Sequence, residues 1–150
     1  MPRPLPALIA ALVLLAGCSS GGDKKQSGGP TVTVGHNQPI AFGAFEYRFE
    51  PKNVVVNSGT TKATVVRFVM RNNGSQAHNL HIEKDGQDLG GTPTFGPGQT
   101  GSGQATLSPG TYQFICTVGN HADLGMKGTL TVTSKKTVRP KEKDKPGEKK

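Results

Sequence analysis

From residue 31 onward, apolar and polar residues alternate in short runs, and no stretch repeats its apolar positions every three to four residues. Period-two alternation is the mark of half-buried strands. It picks out residues 31–34, 40–49, 53–56, 63–70, 77–83, 104–107, 111–117 and 128–133. In 63–70, Val66, Phe68 and Met70 share one face, while Arg67, Val69 and Arg71 take the other. Ser58-Gly59, Asn72-Asn73-Gly74 and Pro109-Gly110 supply turn chemistry between the runs. Seven or eight short strands at near-regular spacing predict an all-β fold, a Greek-key sandwich or barrel with antiparallel pairing. Residues 85–103, rich in Gly, Pro and Thr, read as a long crossover between sheets.

The two ends of the chain break this pattern. Residues 1–17 hold Arg3 and then an apolar core over residues 5–15, of the length of an export signal and too short to span a bilayer. The segment closes Leu15-Ala16-Gly17-Cys18, which resembles a bacterial lipobox. That likeness implies cleavage before Cys18 and lipid on its sulfur; the plainer alternative is a secretory signal with an incidental cysteine. Several acyl chains on one residue make a stable anchor. Residues 18–30 have no apolar side chain apart from Cys18 and Pro30 and predict a flexible tether reaching about 20 Å. Residues 31–134 form the expected domain, and residues 135–150 a disordered basic tail.

Composition sharpens the reading. With 21 Gly and 11 Pro in 150 residues the chain is turn-rich, and its length suits one domain. The net charge of +8 is concentrated at the end. The tail carries eight basic and three acidic residues, against seven and six in residues 31–134. A nucleic-acid binder would carry basic charge on the fold, interleaved with aromatics, so no nucleic-acid partner is expected. The tail is equally well read as a contact for an anionic surface or as a solubilising segment.

With Cys18 lipidated, Cys116 is left without a disulfide partner in an oxidising setting, which asks for a reason. Alone it would read as a small buried hydrophobe. It opens the segment Cys116-x4-His121-x4-Met126, which offers a thiolate, an imidazole and a thioether from one loop. Two His, a Cys and a weakly bound Met are the donor set of a copper electron-transfer site. The second imidazole must come from His36, His78 or His81. Strand parity places His78 with Leu80 and Ile82, facing inward, and His81 with Asn79 and Glu83, facing solvent. His36 sits in a polar turn. Tyr112, Phe114 and Cys116 share the inward face of their strand. Met70 reads as core, and the scattered carboxylates Asp85, Asp88 and Asp123 form no hydrolytic arrangement.

These residues carry a family likeness. Ala77-His78-Asn79-Leu80, the run from Pro109-Gly110 through Tyr112, Phe114, Cys116 and Thr117, then His121, Met126 and residues 128–132 resemble the cupredoxins, or type 1 blue copper proteins. Azurin-, auracyanin- and sulfocyanin-like members are the most similar. The resemblance implies one copper ion held by His78, Cys116 and His121, with Met126 as axial ligand. It implies that Asn79 hydrogen-bonds toward the Cys116–Thr117 corner. It also implies that the loop histidine reaches the surface through an apolar patch, which Gly119, Ala122 and Leu124 could supply. Val118-Gly119-Asn120 departs from the Pro-Gly turn common in the family. A two-copper oxidase site would need a second Cys in this loop, and none is present.

The expected function is a membrane-anchored, monomeric, non-enzymatic carrier of single electrons. It would meet extracytoplasmic or membrane redox proteins transiently, in the periplasm or at the outer surface. A copper chaperone or storage lipoprotein is the alternative, disfavoured because only Met70 and Met126 remain after cleavage. A copper nitrite reductase would need a second copper site.

Overall fold

A computed structural model describes residues 30–135. The export signal, Cys18 with nearly all of its tether, and the basic tail beyond residue 135 lie outside the described residues. Ten strands are present among them, with no helix: β1 Thr31–Gly35, β2 Ile40–Phe45, β3 Arg48–Glu50, β4 Asn53–Asn57, β5 Thr64–Asn72, β6 His81–Lys84, β7 Gln87–Gly91, β8 Thr100–Leu107, β9 Gly110–Ile115 and β10 Lys127–Thr133.

They form two facing sheets, one in the order β1-β4-β10-β9-β6-β7 and one in the order β3-β2-β5-β8. The chain passes repeatedly from one sheet to the other, so strands distant in sequence become neighbours. β1 and β10 both pair β4 in parallel, and β2 pairs β5 in parallel. The sandwich is as expected, but its sheets are mixed and its strands number ten. Turn chemistry reveals hairpin neighbours only; parallel pairing needs a crossover, which leaves no local signal.

Two of the additional strands come from hairpins. The run 40–49 folds back at Glu46-Tyr47, pairing Phe45 with Arg48, which separates β2 from β3. The stretch 85–103 is not a bare crossover, because Asp85-Gly86 closes a two-residue turn between β6 and β7 with φ of 52° and 77°. Asp-Gly supplies the left-handed conformations that such hairpins need. β7 then approaches β8 of the other sheet, where a Cβ on Gly103 would lie 2.5 Å from the Gly91 carbonyl oxygen. Glycine is required there for the sheet edges to meet.

The apolar alternation fills the space between the sheets. Phe68, Met70, Phe114 and Leu130 are fully buried, with Ile40, Val54, Ile82 and Leu107 beside them. Phe114 meets Phe42 and Phe49 edge-on at ring separations of 4.9 and 5.5 Å. Each such pair contributes about 0.5–1.5 kcal/mol beyond its area burial. This rigid floor underlies the loops at one end, where β9 runs out at Ile115 and β10 begins at Lys127.

Candidate metal centre

Cys116 follows the last residue of β9 and keeps its parity, so its sulfur turns inward and is 1 % exposed. Its amide donates to the Met126 carbonyl at 3.1 Å, and the Met126 amide donates to the His121 carbonyl at 2.9 Å. These two bonds clamp the loop that carries three of the four sequence-derived ligands. Inside it the chain turns tightly, with the His121 amide on the Val118 carbonyl and Gly119 at φ 50°. Val118-Gly119-Asn120 therefore makes the turn that Pro-Gly makes elsewhere in the resemblance. Met126 is fully buried.

His78 comes from the segment between β5 and β6. The expected strand 77–83 is regular only from His81; His78 pairs with Phe95 across an isolated bridge, and both backbone bonds of that bridge are made. The segment is extended enough for parity to hold at His78, which is fully buried, and at His81, which is half-buried and pairs with Asp88 at 2.8 Å. Parity fails at Asn79, which is buried too. Its Oδ1 accepts the Thr117 amide at 2.8 Å, and its Nδ2 donates to Thr117 Oγ1 at 2.7 Å and Thr94 Oγ1 at 3.0 Å. The implied bond toward the Cys116–Thr117 corner is thus present twice.

The donor atoms converge. His78 Nδ1 and His121 Nδ1 are 3.2 Å apart, and Cys116 Sγ lies 3.9 Å from the first and 3.6 Å from the second. The centre of a triangle with these sides is about 2.1 Å from every corner, close to metal–imidazole bonds of about 2.0–2.1 Å and metal–thiolate bonds of about 2.3 Å. His36 is not part of the group.

The outer nitrogens show which form the imidazoles take. His121 Nε2 lies 3.1 Å from Gln76 Oε1, an obligate acceptor, so its proton sits there. His78 Nε2 faces Glu46 Oε1 at 3.4 Å, slightly long for a hydrogen bond. With that proton outward, the His121 lone pair turns toward His78 Nδ1 and the Cys116 sulfur, a donor set that suits a cation. Burial pushes the His78 imidazole below its ordinary pKa, with Glu46 opposing and His121 adding to the depression. A neutral imidazole is what a metal needs. The Glu46 carboxyl is held down to about 2, chiefly by the Gln76 amide, then by its own amide and that of Ser75.

Sequence reasoning missed Glu46, Gln76 and Tyr47. Gln76 Nε2 donates to the Tyr47 hydroxyl at 3.1 Å, and the Tyr47 ring meets the His121 ring edge-on at 5.1 Å. His121 is accordingly only 6 % exposed: its outer edge is capped by Gln76, where the resemblance implied an open apolar patch. Leu124 is half exposed and Gly119 exposed on the same loop.

Comparison with known proteins agrees with this geometry. Residues 39–133 match the family described as copper binding proteins, plastocyanin/azurin family. Auracyanin-B of Chloroflexus aurantiacus is 40% identical over 81 residues, 53% of this chain and 34% of that protein, so the match spans about a third of the relative's length. Dithionite-reduced auracyanin of Roseiflexus castenholzii superposes with a TM-score of 0.56 at 25% identity, covering 63% of this chain and 96% of that one. A structure of auracyanin B gives 0.55 at 26% identity, covering 65% and 89%. An azurin from Methylomonas sp. strain J, 15% identical with a TM-score of 0.56 over 65% and 98%, shares the fold. The chain belongs to the plastocyanin/azurin family of copper-binding proteins, the cupredoxins, with His78, Cys116, His121 and Met126 arranged as a type 1 copper site.

Proposed function

We propose that the protein is a blue copper electron carrier tethered by lipid on Cys18 to the extracytoplasmic face of a membrane, where it passes single electrons between redox proteins. The buried triangle of two imidazoles and one cysteine sulfur carries this reading. Bound copper would supply a one-electron couple. The rest falls to the chain. His78 and His121 would hold the copper through Nδ1 and Cys116 through its sulfur, with the Met126 thioether as a weaker fourth donor. Asn79 and Thr117 hold the Cys116 corner, so the ligands have little freedom to rearrange between oxidation states. The phenylalanine floor excludes water from beneath the site. Such a frame suits a carrier rather than an enzyme, since electron transfer needs a docking face and no substrate pocket. Leu124, Ala122 and Gly119 on the ligand loop give a small face suited to transient complexes.

Mature protein carrying Cys18→Ser and loaded with Cu(II) should be intensely blue, show a narrow copper hyperfine splitting and give a reversible one-electron wave. A colourless complex overturns the type 1 reading; a blue protein that exchanges electrons sluggishly favours storage. Mass spectrometry of the native protein should find lipid at Cys18, and an unmodified thiol there removes the anchor.

A further inference from the structure

The outer nitrogens of the two imidazoles both face one hydrogen-bonded assembly, built from two segments remote from the ligand loop. The β2–β3 turn brings Glu46 and Tyr47; the segment after β5 brings Ser75 and Gln76. Glu46 Oε1 accepts the amides of Ser75 and Gln76 at 2.5 and 2.9 Å. The Gln76 carbonyl accepts Asn72 Nδ2 at 2.8 Å, so this short loop is held on both sides. From it the Gln76 side chain reaches His121 Nε2. The same Glu46 oxygen faces His78 Nε2, which is the one buried side-chain nitrogen or oxygen among the described residues without a closed hydrogen bond.

We infer that Glu46 is a positioning residue of the metal centre: a single carboxylate oxygen orients His78 directly and His121 through Gln76. This rests on the copper reading above. Glu46 comes from a turn outside every motif that carries the ligands, and among the described residues it is the only charged side chain paired with an imidazole of the triangle. A carboxylate behind a ligating imidazole fixes its tautomer and makes Nδ1 a stronger donor. A stronger donor favours the more highly charged metal, so Glu46 should hold Cu(II) in preference to Cu(I). A neutral partner of the same shape would keep the orientation and lose that preference.

Glu46→Gln keeps an acceptor oxygen for the Ser75 and Gln76 amides while removing the charge. Copper-loaded Glu46→Gln should stay blue, with a midpoint potential raised by about 59 mV, equivalent to a tenfold loss of Cu(II) preference. An unchanged potential in a blue, folded variant overturns the inference. Measurements on the metal-free wild-type chain need neither a folded variant nor copper. Nitrogen–proton correlation spectra should place the His78 proton on Nε2, with slow solvent exchange. A proton on Nδ1, or fast exchange at Nε2, overturns the inference independently. If the wild type never forms a blue site, the carrier reading fails by itself, and these spectra still decide whether Glu46 orients His78.

Discussion

The two ends of the sandwich are closed by different means. At the end remote from the ligands, the polar ties run mainly through a single tie at Tyr112 and a local knot at Ser58. The Tyr112 hydroxyl donates to the Ser108 carbonyl at 2.7 Å, while Ser58 Oγ lies 2.8 Å from the Thr133 carbonyl and 2.7 Å from that of Thr60, beside the Ser58 amide on the same Thr133 oxygen. Between them lies an apolar body of Val54, Val56, Leu130 and Val132. At the ligand end, buried polar side chains gather instead: Asn72, His78, Asn79, Thr92 and His121. Their bonds are chained, Asn79 to Thr117 and Thr94, Asn72 to Gln76, Gln76 to His121. A lone tie can be cut at its own cost. A chained network loses more than one bond, because each cut strands a neighbour out of reach of water.

This contrast can be broken at several points. Cys116→Ala should abolish the blue absorption and the narrow hyperfine splitting entirely, while circular dichroism of the metal-free protein keeps its β signature. Leu130→Ala, in the apolar body, should cost about 2–5 kcal/mol in denaturant unfolding of the metal-free protein and leave the colour of surviving holoprotein unchanged. Asn79→Ala should cost about 1–3 kcal/mol and weaken copper binding about 10–100-fold, measured by competition with a chelator. Tyr112→Phe removes a lone tie and should cost about 0.5–1.5 kcal/mol with the spectrum intact. If Asn79→Ala changes stability alone, the two ends are not different in kind.

The smallest effect concerns His81 on β6 and Asp88 on the edge strand β7, whose side chains pair with each other and not with the ligands. The Gly90 amide, then His81, hold the Asp88 carboxyl below its ordinary 3.8. A depressed carboxyl stabilises the fold above the unfolded value, and that contribution fades as pH falls through the folded one. Asp88→Asn should therefore cost a few tenths of a kcal/mol at neutral pH, with the difference from wild type vanishing in acid. His81→Ala should leave the blue spectrum unaltered.

What could be read from the chain divides along the same line. The ligands were legible because Cys116, His121 and Met126 share one short segment and because parity singles out His78. The core was legible because alternation follows the pleat. Asn79 escaped parity, since a loop covering the outer side of its segment buries both faces there. The β6–β7 hairpin was marked by Asp85-Gly86, a signal present in the sequence but outweighed by the Gly and Pro around it. Glu46, Tyr47 and Gln76 left no such trace: they are ordinary turn residues, some thirty positions apart, until the β2–β3 turn meets the loop after β5. Parallel pairing of β4 with both β1 and β10 was equally silent.

That last pairing ties the ligands to the end of the domain. β4 pairs on one side with β10, the last strand among the described residues, and Cys116, His121 and Met126 all lie just before β10. Strands β1 to β8 with their loops supply His78 alone among the four ligands. Sheet and cage are thus completed by one and the same stretch, residues 116–133, and a chain cut before it would keep most of its strands and lose the site.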